Sequence, residues 1–105
     1  MVAYVIVERI EEWDSEVFAA YRPLAAASID KFGGRYLALS TMPVVLEGDT
    51  GPIVMAVIEF PSMQLADSWY NSEEYQKAAG IRRAGARNRF IAVDALARPP
   101  MGETT

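Results

Sequence analysis

The sequence predicts one α+β domain whose elements run strand, helix, strand, strand, helix, strand. Three observations predict it. The 105 residues match the size of a single domain. Four short runs are rich in β-branched and aromatic residues, the composition that suits a pleated surface. Between the first and second runs, and between the third and fourth, apolar residues recur at three- and four-residue steps, the period of a helix face.

The first strand is Val2 to Glu8, apolar on both of its faces, so both should be covered. Asp14 is placed to cap a helix, because its carboxylate can accept a free backbone N–H. Behind it Val17, Phe18, Tyr21, Leu24, Ala25, Ser28, Ile29 and Phe32 form one helical stripe. Pro23 lies inside that stripe and should kink the helix, since proline lacks an N–H and crowds the preceding turn. Gly33-Gly34 stops it, as glycine takes the left-handed conformation at little cost. Arg35 to Leu39 is the second strand, which Met42 to Leu46 would extend beyond a bend at Pro43. Residues Glu47 to Pro52 are turn chemistry, and Ile53 to Phe60 is the third strand. Ser62 caps a helix carrying Leu65, Ala66, Trp69 and Tyr70, and Ser72 caps another turn through Tyr75. Ala78 to Arg87 reads as helix or loop, because Gly80 and Gly85 weaken a helix there. Phe90 to Leu96 is the fourth strand. Residues 1–97 form the domain and 98–105 a flexible tail, on the strength of Pro99-Pro100 and polar neighbours.

This order is the split βαβ, ferredoxin-like pattern, with a four-stranded antiparallel sheet and both helices on one face. The other sheet face would then be bare in a lone subunit. Tyr4 and Ile6 oppose Ala3, Val5 and Val7, and Met55 and Val57 oppose Val54, Ala56 and Ile58, so that bare face is apolar. A large open apolar patch is unusual in a monomer. A homodimer packed sheet to sheet, a dimeric α/β barrel, would bury it. The competing expectation is that residues 73–87 fold over the face.

Composition removes several function classes. With no cysteine and no histidine, thiolate chemistry, a serine triad and a proximal-histidine haem site are all excluded. No metal site and no cofactor is expected. The net charge of −4 argues against a nucleic-acid partner. No apolar run is long enough for a membrane span, and no secretion signal is visible, so a cytoplasmic location is the default expectation. Arg82, Arg83, Arg87 and Arg89 crowd one segment, either as a solvated face or as an anion site. Glu47 and Asp49 sit on a turn and are too few to hold calcium alone.

The segments Phe32-Gly33-Gly34-Arg35-Tyr36-Leu37, Leu46-Glu47-Gly48-Asp49, Ile58-Glu59-Phe60-Pro61-Ser62 and Trp69-Tyr70-Asn71-Ser72-Glu73-Glu74-Tyr75 resemble the DUF1330 family, a domain of unknown function, over residues 2–96. The resemblance implies a dimeric α/β barrel and leaves the activity open. Three positions depart from the family pattern: Glu73 stands where a proline is usual, and basic residues are missing at Leu39-Ser40 and at Gly51-Pro52-Ile53.

Strand alternation gives one candidate site. If the first and third strands are parallel neighbours, Glu8 and Glu59 share one end of the sheet, with Arg35 beside Glu59 and with Asn88 and Arg89 beside Glu8. Two close carboxylates can hold one proton near neutral pH, so Glu59, Glu8 and Arg35 are the candidate catalytic residues. The competing reading is an ion-pair network that closes the barrel end. Tyr36, Trp69, Tyr70, Asn71 and Arg89 are candidate substrate-binding residues, on the grounds that small-molecule pockets combine aromatic walls with few polar groups. For Trp69, core packing is the alternative. The function expected is a small-molecule-binding or cofactor-independent enzyme domain, isomerase- or monooxygenase-like; the alternative is a non-catalytic dimerisation or ligand-sensing module. A cavity touching Glu59 and Tyr36 would favour the first.

Overall fold

The computed structural model describes residues 1–96; the expected tail at 98–105 lies outside them. The elements are β1 (Ala3–Glu12), α1 (Val17–Lys31), β2 (Arg35–Ser40), β3 (Val54–Phe60), α2 (Met63–Tyr70), α3 (Glu73–Arg83) and β4 (Ala86–Asp94). One four-stranded sheet runs in the order β2-β3-β1-β4, and every neighbouring pair is antiparallel. β1 and β2 therefore run the same way with β3 between them, which is the split βαβ arrangement.

The antiparallel β1–β3 pairing overturns the expectation that these strands are parallel neighbours. Tyr4 lies opposite Glu59 and Glu8 opposite Met55. The crossover helix α1 makes β1 parallel to β2, not to β3, because it returns the chain to the starting edge of the sheet.

Helix α1 begins one turn later than Asp14. That carboxylate accepts the Glu16 N–H at 3.0 Å, ahead of the helix, and Glu16 stands at the cap position without a side-chain bond of its own. Pro23 is accommodated inside the helix. The stop is as expected: Gly33 has φ +78, and the Gly34 and Gly33 N–H groups donate to the Ile29 and Asp30 carbonyls at 2.9 and 3.0 Å, a Schellman motif. Ser62 and Ser72 cap α2 and α3, each accepting the N–H three residues on at 3.1 Å. The open segment Ala78 to Arg87 resolves into the rest of α3, a turn at Ala84-Gly85 and an early start to β4. Gly80 is carried inside α3 because Tyr75, Ala78, Ala79 and Arg82 give that helix a buried stripe. Met42 to Leu46 is not strand, and Met42, Val44 and Leu46 are exposed.

All three helices cover one sheet face. Ala3, Val5, Ile58 and Phe60 from the sheet pack with Ala25 and Ile29 of α1, Ala66 and Trp69 of α2, and Tyr75, Ala78 and Ala79 of α3 in one core. The alternative that residues 73–87 fold over the other face is thereby overturned. That other face carries Tyr4, Ile6 and Glu8 beside Glu59, Val57 and Met55 on one flank and Val93, Ile91 and Arg89 on the other. None of the described helices covers it. Leu37 sits in a bulge of β2, and beyond it Leu39 pairs with Ala56 on the helix side. Arg35 and Leu39 therefore lie on opposite faces despite their even spacing, because a bulge shifts the alternation by one residue.

Candidate functional site

The register divides the expected polar cluster into two. Glu59 accepts from Arg35 Nε at 3.0 Å, and Glu8 lies 3.9 Å from Arg89 Nε. Both pairs lie on the helix-free face, about four residues or roughly 13 Å apart along the strands. The two carboxylates are therefore not in contact within the chain. Asn88 pairs with Arg9 and so points to the helix side, away from Glu8.

Two concavities among the described residues lie between sheet and helices. The larger is a cleft of about 630 Å³ bounded by β4, α2 and α3, with Trp13, Trp69, Tyr70, Arg82, Asn88 and Phe90 in its wall. A smaller one of about 190 Å³ lies under α1, walled by Arg9, Phe18, Tyr21, Tyr36, Asn88 and Phe90 among others. Asn88 and Phe90 belong to both walls. Of the expected ligand-binding residues, Trp69 and Tyr70 line the larger cleft and Tyr36 the smaller. Glu59 and Arg89 lie on the other face of the sheet. Asn71 ends α2 instead, its amide donating to the Asp67 carbonyl and carboxylate at 3.0 and 3.2 Å. The cavity expected to touch both Glu59 and Tyr36 touches Tyr36 alone.

Local sequence sets these walls. Trp69 is 1% exposed, with Phe60 and Tyr75 rings 5.1 and 4.2 Å away, and its indole N–H donates to Ser28 Oγ at 3.0 Å. It is at once core and cleft wall. Trp13 is held at the mouth by donating to the Ala84 carbonyl at 2.9 Å, while its backbone N–H donates to Gly85. Gly85 is required there, since a Cβ would run into the Asp14 carbonyl and Val17.

The polar groups of the site were not legible as a group in the sequence. Among the described residues, three buried side-chain atoms have no hydrogen-bond partner: Arg9 Nε, Arg82 Nε and Asn88 Oδ1. All three belong to residues that wall the clefts. Arg9 is ion-paired with Glu12 at 2.8 Å and lies 3.7 Å over the Phe18 ring. Arg82 is 4% exposed, is joined to no carboxylate among the described residues, and lies 4.8 Å from the Phe90 ring centre. Next to it, Tyr21 and Tyr75 share a 2.9 Å hydroxyl–hydroxyl bond. Burial pushes both phenols above their ordinary pKa, and the Arg82 guanidinium pulls the other way on each. Burial also raises Tyr36. One signal for Arg82 was available: it continues the stripe Tyr75, Ala78, Ala79 at helical spacing, an odd place for a solvated charge.

Chains of known structure share this architecture. A protein of unknown function from Rhodopseudomonas palustris is 18% identical, with a TM-score of 0.72 over 92% of this chain and 84% of its own. SnoaB, a cofactor-independent oxygenase from Streptomyces nogalater, is 13% identical, with a TM-score of 0.61 over 94% and 96%. A dimeric ferredoxin-like protein of unknown function from Jannaschia sp. is 13% identical, with a TM-score of 0.63 over 90% and 100%. At such identities the likeness is one of fold: this chain has a ferredoxin-like fold. No curated protein matches the sequence. The sequence profile of the family described as a domain of unknown function (DUF1330) matches residues 2–96, and the chain belongs to that family.

Proposed function

We propose that this protein is a small-molecule-binding domain that works as a homodimer, with its ligand in the cleft between β4, α2 and α3. One observation carries the reading. The unpartnered buried polar atoms of Arg82 and Asn88 belong to residues of this cleft's wall, and the third, of Arg9, to the smaller cleft that shares Asn88 and Phe90 with it. Buried donors and acceptors are nearly always satisfied, and an orphan marks a place where a missing partner belongs. Aromatic walls with a few converging polar groups are also what small-molecule sites consist of.

Pairing rests on the helix-free face. Ile6, Val57 and Ile91 lie side by side across three strands, an apolar centre that a second copy would cover. In this reading Glu59–Arg35 and Glu8–Arg89 frame the seam and have no catalytic role. Native mass spectrometry tests both parts. The expected result is a dimer carrying an extra mass, which a cleft-filling Ala92→Trp variant loses. A monomer overturns the pairing, and a mass that survives cleft filling overturns the site.

A second, catalytic reading has the Tyr21–Tyr75 hydroxyl pair in its favour. Held protonated beside Arg82, these phenols can donate or relay a proton but cannot act as bases near neutral pH. The oxygenase relative suggests the reaction class, in which electrons come from the bound molecule itself. Oxygen uptake in the presence of the co-purified ligand tests it.

A further inference from the structure

We infer that the ligand of the larger cleft is a flat, apolar-bodied anion, an aromatic carboxylate or a molecule of the same charge and shape, whose negative oxygens meet the Arg82 guanidinium. This rests on the cleft being the binding site and names what it takes.

A guanidinium is always protonated, and Arg82 holds one with 4% of the residue exposed. A buried cation is costly unless an anion and good hydrogen bonds accompany it. Its neighbours supply only part of that. The Phe90 and Tyr21 rings lie 4.8 and 6.0 Å from its central carbon, a cation–π setting, while Nε lacks an acceptor. The other charged residues of the cleft wall are already engaged or stand outside. Arg87 is paired with Glu11 at 2.7 Å. Arg83 is exposed and contacts Gln76 and Tyr70 at 3.4 Å each. Asp67, the acid of this wall, takes the Asn71 amide. Arg82 is thus the buried wall cation whose counter-charge the described chain does not supply.

Shape follows from the walls. Trp13, Trp69, Tyr70 and Phe90 line the cleft together with Met63. Trp69, Tyr70 and Phe90 stand with ring centres 5.9 to 6.4 Å from one another. Such surfaces favour another ring stacked against them. A ligand that is apolar over most of its area and anionic at one end satisfies both parts of the wall. A neutral ring of the same shape satisfies only one.

Calorimetric titration with two matched probes tests this, using 2-naphthoate and its neutral isostere 2-naphthamide at about pH 7.5, where the carboxylate is ionised. On the native chain, naphthoate is expected to bind about 10- to 100-fold more tightly than naphthamide, the range for a hydrogen bond to a charged group. Arg82→Gln is expected to bring the two probes within about threefold of each other, while the exposed Arg83→Gln keeps the preference. The comparison on the native chain holds even if Arg82→Gln does not fold. Equal binding of the two probes overturns the anion while leaving the cleft as the site. So does a preference that Arg83→Gln removes and Arg82→Gln keeps. Failure of both probes to bind at millimolar concentration overturns the cleft reading, and this inference with it.

Discussion

The wall of the cleft depends on one hydrogen-bonded pair, Trp69 with Ser28, and a double-mutant cycle measures it. Both residues are buried, at 1% and 2% exposure. The indole N–H donates to Ser28 Oγ at 3.0 Å, and that hydroxyl donates onward to the Ala25 carbonyl at 2.7 Å. Ser28→Ala leaves the indole N–H buried without an acceptor, at a cost of about 1–3 kcal/mol. Alanine returns about 0.5 kcal/mol through its better helix propensity. The expected loss is therefore about 1.5 kcal/mol, which lowers Tm by roughly 6–12 °C in a domain of this size. Trp69→Phe costs about 2–3 kcal/mol through lost volume and the lost bond. In the double variant no indole remains to be orphaned, so the serine change should be nearly neutral on that background. The two effects should then fall short of additivity by about 1–2 kcal/mol. Thermal or urea unfolding at fixed protomer concentration reads this directly, because pairing would otherwise move the midpoint. Additivity within about 0.5 kcal/mol would refute the coupling.

Other consequences are equally measurable. Val57→Asp places a carboxylate at the centre of the helix-free face, and two such charges facing each other across a seam should weaken pairing by more than about a thousandfold; sedimentation that still reports a dimer would contradict the sheet-to-sheet reading. Gly80 is exposed in mid-helix with nothing near a built Cβ, so Gly80→Ala should stabilise by about 0.5–1 kcal/mol. Gly85→Ala should destabilise clearly, because its Cβ meets Asp14 and Val17; equal effects at the two glycines would count against the packing described. Tyr21, Tyr36 and Tyr75 have raised pKa values, so the folded chain holds protons that the unfolded chain releases above pH about 10, and stability should fall as pH rises through that range. Absorbance at the tyrosinate band should then appear together with alkaline unfolding, and not ahead of it, for Tyr21 and Tyr75.

Fold and site differ in how far the sequence reveals them. Local chemistry specified most of the elements: the Gly33-Gly34 stop and the Ser62 and Ser72 caps are short-range signals with a physical mechanism. α3 was hidden because Gly80 and Gly85 weaken any local case for a helix, and only the burial of Tyr75, Ala78 and Ala79 against α1 and the sheet decides it. The site suffered from a single long-range error. Glu8 and Glu59 were expected at one end of the sheet, but the strand direction decides which ends meet, and the antiparallel β1–β3 register sets the carboxylates apart. Arg35 beside Glu59 and Arg89 beside Glu8 were legible, because they depend only on antiparallel neighbours. The assembly of Arg9, Arg82 and Asn88 around Phe90 joins residues from β1, α3 and β4, and no sequence period links them.

In the proposed reading a ligand occupies the helix-side cleft and not the helix-free face. Amide and indole chemical shifts recorded by heteronuclear NMR during a 2-naphthoate titration test it most directly. Binding in the cleft should concentrate the shifts at the Trp13 and Trp69 indoles, the Asn88 side-chain amide and the backbone of Arg82 to Phe90. Shifts centred on Ile6, Val57 and Ile91, with those cleft signals unmoved, would contradict it.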